Sequence, residues 1–437
     1  MDCRRGVDWP VGVEIHPQRN SMDLAGGGAA GAGGLCPSAR ARMRWFLFCY
    51  WYEPDAPSDP VGLVRLWSLA RQLVERGDSV TVLPPRYRSS LLQRGFSTMP
   101  IPLLPWPVVR PISYAVFSCI VALVRACRSK PDVVYYRWMD SPHPLLFARL
   151  VGALCVCEVN GEPVPDWSES DRTRKRILRH WLASFALSRC DRVVVLTEGL
   201  RDLVVRRYGV TAERVAVLPS GTDTSLFVPQ DTAACRRRIG LGLEQHFIGF
   251  VGSFYRYQGL QCLLDAMAII KRTLPSVDLV LVGDGEATQE LKQQADRLAL
   301  NSCITWAGRI PYQEVPTWIG AMTLCVAPFR GDRGETSPVK IFDYLACGKP
   351  VIASAVPSVS TTFLQEAGVV FVPPDDPAAL AQMVLTLLND PERQAHMADQ
   401  GRRFVEQGYS WAHLTNRLKE WLATGQVPIQ HAHPRVL

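Results

Sequence analysis

The chain has 437 residues, of which 47% are hydrophobic and 20% are charged. That length fits two ordinary domains with extra segments, and the composition is that of a globular protein. It excludes a mostly disordered, collagen-like or coiled-coil chain, and a mean hydropathy of +0.02 excludes a protein of many membrane spans. The formal net charge of +7 fits small anionic molecules or an anionic membrane surface as partners; we expect no nucleic acid partner.

The thirteen cysteines are scattered apart from Cys155 and Cys157, and no Cys-x-x-Cys pair is present. This spacing argues against a zinc site or a disulfide framework and favours small buried side chains in a reducing cytoplasm. Residues 1–42 are expected to be a disordered leader. Its glycine tract at residues 26–34 is predicted to be flexible rather than a dinucleotide-binding loop, because no strand precedes it. We expect neither a signal peptide nor a membrane-spanning helix.

Apolar runs of strand length alternate with amphipathic segments from residue 43 onwards. Residues 44–50 form a continuous apolar run, residues 62–76 place apolar side chains on one helical face, and residues 79–83 form the next strand. This order is typical of a βαβ unit with parallel strands. Further strands are predicted at residues 132–136, 154–159 and 191–196.

A second series of the same kind follows a proline- and glycine-containing segment near residues 218–232. Strands are predicted at residues 247–252, 277–283, 304–307, 324–327, 351–353 and 369–372, with helices at residues 260–272 and 287–300. The predicted fold class is α/β, with two tandem Rossmann-like domains facing each other across a cleft, at residues 43–222 and 223–409. A helix over residues 410–424 is expected to pack back on the first domain, followed by a flexible tail at residues 425–437.

A cluster of polar residues at 334–354 is the most informative stretch. Glu335 and Asp343 are eight positions apart, and Ser337-Pro338 predicts the start of a helix with proline in its first position. The free N–H groups at such a start bind anions, and Lys340 adds positive charge in the same turn. The pattern predicts carboxylates for sugar hydroxyls beside a phosphate site. On spacing alone, an alternative stays open in which Glu335 interacts with the helix dipole and Asp343 lies on a solvated face.

Several motifs, in order along the chain, resemble those of the family 4 glycosyltransferases of the GT-B fold. Residues 335–351 are similar to the family's Glu-x7-Glu helix followed by Ala-x-Gly-x-Pro-Val, with Asp343 in place of the second glutamate. Residues 217–227 resemble its Val-Ile-Pro-Asn-Gly-Val-Asp…Phe linker, residues 281–286 its Leu-Val-Gly-Asp-Gly turn, and residues 249–260 the opening of its second domain. The resemblance covers about residues 44–424.

Two basic positions of that family differ in this chain. The family usually has Arg after the glycine at 252 and Lys before the glycine at 259, both binding the donor diphosphate, whereas this chain has Ser253 and Gln258. The diphosphate must then rely on other donors. Whether these changes abolish catalysis stays open.

The resemblance implies that a sugar moves from a nucleotide-diphosphate sugar to an acceptor with retention of configuration, in polysaccharide or glycoconjugate biosynthesis. It implies no metal ion and no cofactor, since the nucleotide-sugar is a co-substrate. By analogy Glu335 would accept hydrogen bonds from the donor sugar and Asp343 from the ribose, while Lys340 and Arg256 would stabilise the leaving diphosphate. The other residues expected at the donor are Gly252, Ser253, Gln258, Gly283, Thr336, Ser337, Pro338 and Val339.

On the acceptor side, Gly62, Asn160 and His143 are expected near the cleft, although the sequence around His143 also fits a solvated turn. The acceptor itself is expected to be a glycan, a lipid-linked molecule or a small molecule. Two other functions remain open at this point: a non-catalytic GT-B scaffold that binds a nucleotide or a partner, and a nucleotide-sugar epimerase of the same fold.

Residues 84–128 combine apolar and basic side chains. A helix of about 14 residues, too short to span a membrane, is predicted at residues 112–125. Apolar and basic residues interleave in this segment: Leu103, Leu104, Trp106, Val108 and Phe117 with Arg86, Arg88, Arg94 and Arg110. The pattern predicts a cytoplasmic protein that docks on the inner face of an anionic membrane to reach a lipid-linked acceptor. A helix buried in the first domain explains the apolar half equally well.

Overall fold

The computed structural model describes residues 42–50, 61–86, 95–163, 173–334, 337–363 and 367–427. The predicted leader, apart from its last residue, and most of the predicted tail therefore lie outside the described residues. Within the described part, two parallel sheets with helices on both faces confirm the predicted α/β fold of two tandem Rossmann-like domains.

The first sheet consists of parallel strands that are buried on both faces. The described strands are β1 (Arg44–Phe48), β2 (Ser79–Leu83), β3 (Ser97–Thr98), β4 (Val133–Arg137), β5 (Leu154–Val159), β6 (Arg192–Val195) and β7 (Val215–Val217). Their order in the sheet is β3-β2-β1-β4-β5-β6-β7. Runs rich in valine and tyrosine form these strands because helices cover both sides of the sheet.

Helices cover the two faces of this sheet unequally. The described helices are α1 (Val61–Glu75), α2 (Val109–Arg128), α3 (His143–Val151), α4 (Thr173–Arg189) and α5 (Glu198–Tyr208). Helix α1 packs on one face, against strand residues such as Trp45 and Leu47. Helices α2 to α5 pack on the other face, against Phe46 and Val134.

The second sheet repeats the arrangement. Its described strands are β8 (His246–Val251), β9 (Val277–Val282), β10 (Ile304–Gly308), β11 (Leu324–Ala327), β12 (Val351–Ser354) and β13 (Val369–Val372), in the order β10-β9-β8-β11-β12-β13. Its described helices are α6 (Thr232–Ile239), α7 (Leu260–Thr273), α8 (Thr288–Arg297), α9 (Val315–Ala321), α10 (Val339–Ala346), α11 (Pro357–Ser360), α12 (Pro377–Leu388) and α13 (Pro391–Gly408).

Two strands of the first sheet were not predicted. Strands β3 and β7 have only two and three residues. Such short segments carry no measurable hydrophobic periodicity, and they extend the sheet only because longer neighbours provide a template at each edge.

The segment of residues 218–223, called the linker below, joins the two sheets and is fastened to the first one by Arg65. The guanidinium donates to the carbonyl oxygens of Leu218 at 3.1 Å and Pro219 at 3.0 Å. It also pairs with Glu158, at the carboxyl end of β5, at 2.8 Å. Because one planar group makes all these contacts, the linker and the end of β5 are held in fixed relation.

The last described helix, α14 (Trp411–Thr424), follows the second sheet in sequence but packs on the first one. Trp421 lies in the same apolar cluster as Trp45 of β1. On the same helix, the ammonium of Lys419 pairs with Asp78 at 2.6 Å, and both groups are buried. Asp78 also accepts a hydrogen bond from Trp45 Nε1 at 3.1 Å, so one carboxylate ties the helix to the sheet.

Helix α2 differs from its prediction in length. It has 20 residues instead of about 14, because its first turn tolerates Pro111, where N–H groups have no intrahelical partner. It is the one described helix that is long and apolar enough to cross a membrane by length and composition, so the expectation that no stretch reaches that length is wrong. Its buried residues, among them Tyr114 and Ala122, pack against the first sheet and lay the helix along the domain.

We expect Asp78→Ala to lower the free energy of unfolding by about 3–5 kcal/mol, because the Lys419 ammonium would stay buried without its partner. Urea unfolding of the full chain measures this loss. Asp399→Ala is the matched control: it removes the partner of exposed Arg403 on α13 and should cost less than about 1 kcal/mol. Equal, small losses in the two variants would contradict a structural role for the Asp78–Lys419 pair.

Candidate functional site

The candidate site begins at the carboxyl ends of β8 and β9, where Gly252 and Gly283 follow the two strands. Their φ angles are +147° and +136°, a region that favours glycine. A β-carbon on Gly283 would overlap the carbonyl oxygen of Gly252. The two strand ends therefore approach each other closely, at the edge where parallel sheets bind ligands.

Lys340, in the first turn of α10, reaches across to these strand ends. Its ammonium lies 4.2 Å from the ring centre of Phe250 and 5.0 Å from that of Phe329, and it donates to Gln258 Oε1. Its Cε would lie 2.9 Å from a β-carbon on Gly252. Burial lowers the pKa of Lys340 well below its usual value, and nearby positive charge lowers it further. The structure thus brings Lys340, Gln258 and Gly252 together, as the predicted site requires.

A second cation lies beside Lys340 and was not assigned to the site from the sequence. Arg333 stacks on Phe329, with its guanidinium carbon 4.0 Å from the ring centre. It donates to the carbonyl oxygen of Ser337 at 3.2 Å and to Ser358 Oγ at 3.1 Å. Its charge contributes to the lowered pKa of Lys340. The sequence offered one signal for it, its position in the loop that precedes α10.

Arg256 lies farther out than its predicted role suggests. Its side chain is 72% exposed and pairs with Glu290 of α8 at 3.2 Å. It would have to leave that partner to reach a diphosphate, so its catalytic role stays a prediction. Ser253, which follows Gly252, is half-buried and stands where a ligand at the strand ends would meet its backbone.

Asp343 faces the linker rather than solvent. Thr222 donates a hydrogen bond to its Oδ1 at 2.6 Å. Burial raises the pKa of Asp343 to about 7, the charge of Asp223 acts in the same direction, and the Thr222 bond opposes them. The carboxyl group therefore sits where the linker meets α10, and the alternative of a solvated face does not describe it.

The start of α10 is also tied to the linker. Ser337 is buried, and its Oγ accepts a hydrogen bond from the Ser220 N–H at 3.3 Å. The helix begins at Val339, so Pro338 occupies the capping position instead of the first helical one. Val339 is exposed.

Glu335 and Thr336 lie outside the described residues. The roles assigned to them, hydrogen bonding to the donor sugar and donor binding, stay predictions.

The predicted acceptor-side residues lie in different surroundings. Asn160 follows β5, and its Oδ1 is buried without a hydrogen-bond partner among the described residues. His143 is buried, with ring nitrogens 3.3 Å from Ser118 Oγ and 2.9 Å from Ser141 Oγ, so the interpretation as a solvated turn is wrong. Burial lowers the pKa of His143 to about 4. Gly62 is the second residue of α1, and its surroundings lie outside the described residues.

The site offers cations on one side and a carboxyl group on the other. Lys340 and Arg333 can interact with phosphate oxygens, and Asp343 can accept hydrogen bonds from hydroxyl groups. Among the described residues, no group of three histidine, cysteine or acidic side chains could hold a metal ion. The expectation that no metal is needed stays a prediction.

Two family models match the chain in succession. The model described as "Glycosyltransferase Family 4" matches residues 64–226, and the one described as "Glycosyl transferases group 1" matches residues 245–390. The first match lies in the domain of the first sheet and the second in that of the second sheet. Both were expected from the motifs.

Curated relatives match over part of their length. D-inositol 3-phosphate glycosyltransferase 1 of Catenulispora acidiphila is 30% identical over 54% of this chain and 57% of its own. A Corynebacterium glutamicum enzyme named as a GDP-mannose-dependent monoacylated alpha-(1-6)-phosphatidylinositol monomannoside mannosyltransferase is 29% identical over 46% of this chain and 54% of its own. The chain thus spans about half the length of these relatives.

The fold has close counterparts among solved structures. HepE from Anabaena, solved in complex with UDP and glucose, superimposes with a TM-score of 0.68 at 17% identity, over 88% of this chain and all of that one. The architecture of two facing Rossmann-like domains is that of the GT-B fold. The succession of the two family models and this architecture identify the chain as a member of the family 4 glycosyltransferases of the GT-B fold.

Proposed function

We propose that this protein transfers a sugar from a nucleotide-diphosphate sugar to an acceptor, with retention of anomeric configuration. The observation that carries the proposal is the position of Lys340, held by Gln258 beside the Gly252 backbone and next to Arg333. Two cations beside a glycine turn at the carboxyl edge of a parallel sheet suit a diphosphate. HepE, which has the same fold, was solved with UDP and glucose.

The lowered pKa of Lys340 fits this role. Burial and a neighbouring cation both disfavour the charged form of the ammonium. A bound diphosphate would supply negative charge and so favour the charged form. Because the bond to the sugar breaks towards the diphosphate, charge grows where Lys340 and Arg333 can stabilise it, and the transition state gains more than the ground state.

The remaining roles follow the resemblance. Asp343 would accept hydrogen bonds from the ribose in place of the bond that it now receives from Thr222. Glu335 would do the same for the donor sugar. The acceptor hydroxyl proton passes to the leaving phosphate, so no separate base is required. On the acceptor side, Asn160 Oδ1 is a buried acceptor at the end of β5 that a hydroxyl group of a substrate would satisfy.

A scaffold or an epimerase would behave differently. A scaffold binds a nucleotide-sugar without turnover, and an epimerase changes it without a second substrate. Mass spectrometry of products from a panel of nucleotide-sugars, with and without candidate acceptors, separates the three functions. A product that contains both sugar and acceptor supports the transferase.

The first domain carries an apolar surface that fits a lipid-linked acceptor. Six side chains of α2 form an exposed stripe at helical spacing: Val109, Ile112, Val116, Ile120, Leu123 and Val124. The neighbouring helices add further exposed apolar side chains: Leu146 and Leu150 of α3, and Ile177, Leu178 and Trp181 of α4. All three helices lie on the same face of the first sheet. A surface of this size is unusual on a soluble monomer and is typical of an interaction site.

The charge of this surface favours an anionic membrane as the occupant. Residues 109–128, 143–151 and 173–189, which form α2 to α4, contain no aspartate or glutamate. Arg110 and Arg128 lie in α2, and Lys130 lies just beyond its end. Basic and apolar side chains act together only at a membrane interface, where each basic residue contributes about 1 kcal/mol. The Corynebacterium glutamicum relative, whose name gives a phosphatidylinositol mannoside as acceptor, is consistent with a lipid acceptor.

We expect Lys340→Met to lower turnover by about 10²- to 10³-fold, because the leaving diphosphate loses a charge-assisted contact. Initial rates with the donor and acceptor found in the product screen measure it. Arg272→Met, at the exposed far end of α7, is the matched control and should keep the wild-type rate. Activity of the wild type should persist in excess EDTA.

Wild-type turnover in Lys340→Met, together with an inactive Arg256→Met, would place the diphosphate on the other loop. Loss of activity in EDTA that Mg²⁺ or Mn²⁺ restores would contradict the metal-free mechanism.

We expect Asp343→Asn to weaken nucleoside diphosphate binding by about 10-fold at pH 8 and to change how stability depends on pH. The folded wild type holds a proton on Asp343 up to about pH 7, whereas the ordinary pKa of this carboxyl group is 3.8. The folded state therefore binds more protons than the unfolded state between these values, and its stability falls as pH rises through this window.

An amide at this position cannot ionise, so the variant should lose this part of the decline between about pH 4 and pH 7. Thermal unfolding of both proteins at a series of pH values measures the difference. Parallel curves would contradict a buried, protonated Asp343.

For the membrane surface, vesicle co-sedimentation at low salt should show binding to anionic but not to neutral lipid, weakening as salt is added. The triple variant Ile112→Ser/Val116→Ser/Ile120→Ser should bind about 100-fold more weakly, since three apolar side chains no longer insert. Ile269→Ser, which alters an exposed apolar residue of the second domain, is the control and should bind as wild type. A wild-type protein that stays in the supernatant would make a soluble acceptor the better proposal.

A further inference from the structure

A second cavity lies at the edge of the second sheet opposite the donor site. It has a volume of about 440 Å³ and opens where β8, β11 and β12 begin, between the first turns of α6 and α13. In a parallel sheet these amino ends are separated from the carboxyl edge by the length of the strands. The volume lies within the range of about 300–1,000 Å³ found for small-molecule sites.

Lys349 lines this cavity and is the reason to regard it as a binding site. Its side chain is only 8% exposed. The ammonium donates to Thr232 Oγ1, at the start of α6, at 3.0 Å. Its closest ionisable neighbours are Arg236 and three cysteine thiols, and among the described residues no carboxylate pairs with it. A buried cation ordinarily has an anionic partner, so a partner from outside the chain fits this position.

The other charges at the cavity reinforce this need. Arg236 adds a second buried cation whose guanidinium is already used by the backbone, with the carbonyl oxygens of Ala321 at 3.0 Å and Leu243 at 2.9 Å. It stabilises the local fold and leaves its charge uncompensated. Glu244 lines the cavity but is exposed, so water screens it from the buried cations.

We propose that this cavity binds a small phosphate compound, such as a sugar phosphate, with its phosphate on Lys349. The site is separate from the donor site and independent of the transfer reaction. Helix α10 runs between the two: Lys340 lies in its first turn, and Lys349 follows Gly348, just beyond its end.

A purely structural role for Lys349 is the competing explanation. A lysine just beyond a helix is stabilised by the free carbonyl groups at the helix end. Here, however, the Lys349 ammonium donates to Thr232 of another helix, so it does not cap α10 with its side chain.

The test is calorimetric titration of glucose 6-phosphate, inorganic phosphate and glucose into the full chain, with the donor site saturated by nucleoside diphosphate. We expect glucose 6-phosphate to bind with a Kd of about 10 µM to 1 mM, phosphate to bind more weakly and glucose not to bind. Lys349→Met should weaken glucose 6-phosphate by about 10- to 100-fold. Arg238→Met, an exposed cation on α6, should leave it unchanged.

If Lys349→Met does not fold, acetylation of Lys349 in the wild type, followed by mass spectrometry, replaces it: glucose 6-phosphate should protect the amine and glucose should not. Absence of binding below about 10 mM, equal affinity in a folded Lys349→Met, or unprotected acetylation would overturn the proposal.

Discussion

The carboxyl edges of both sheets meet at one short segment of chain, and the geometry of the candidate site depends on how that segment is held. Arg65 fixes the beginning of the linker through two carbonyl oxygens and joins it to Glu158 at the end of β5. Its far end bonds to α10 through Thr222 and Asp343. Arg65 and Arg71 of α1 hold the linker at Leu218, Pro219 and Asp223, and Thr222 bonds to α10, so the linker ties the first domain to the helix that carries Lys340.

In the proposed donor site, the position of Lys340 compensates for the basic side chains that are absent at residues 253 and 258. Residues 253 and 258 are serine and glutamine instead of basic residues. Gln258 nevertheless contacts a cation, because its Oε1 accepts a hydrogen bond from Lys340. The lysine extends from a helix instead of the strand loop and packs on Phe250 and Phe329. Ring faces attract cations, so these aromatic rings hold the ammonium near the Gly252 backbone, and among the described residues no acidic side chain pairs with it.

The fold could be predicted from the sequence because long, valine-rich runs and glycine-ended helices are local signals. The prediction of β2, β5, β11 and β13 agrees with the structure to the residue. Arg333 could not be assigned, because its proximity to Lys340 arises from a loop path that no periodicity encodes. His143 was misread for a related reason: the prolines beside it suggest a turn, and only the packing of α2 and α3 against β1 buries the ring.

The helices on the two faces of the first sheet differ in how apolar their outer surfaces are. The face covered by α1 and α14 is closed by an apolar cluster and by the buried Asp78–Lys419 pair. These contacts hold α14 against the first sheet. The face covered by α2 to α4 is closed beneath its helices but leaves their outer sides apolar. In α2 the buried residues are two serines, a tyrosine and an alanine, while large aliphatic side chains point outwards, the reverse of an ordinary surface helix. Exposing these aliphatic side chains to water costs free energy, and the proposed contact with a membrane would lower that cost.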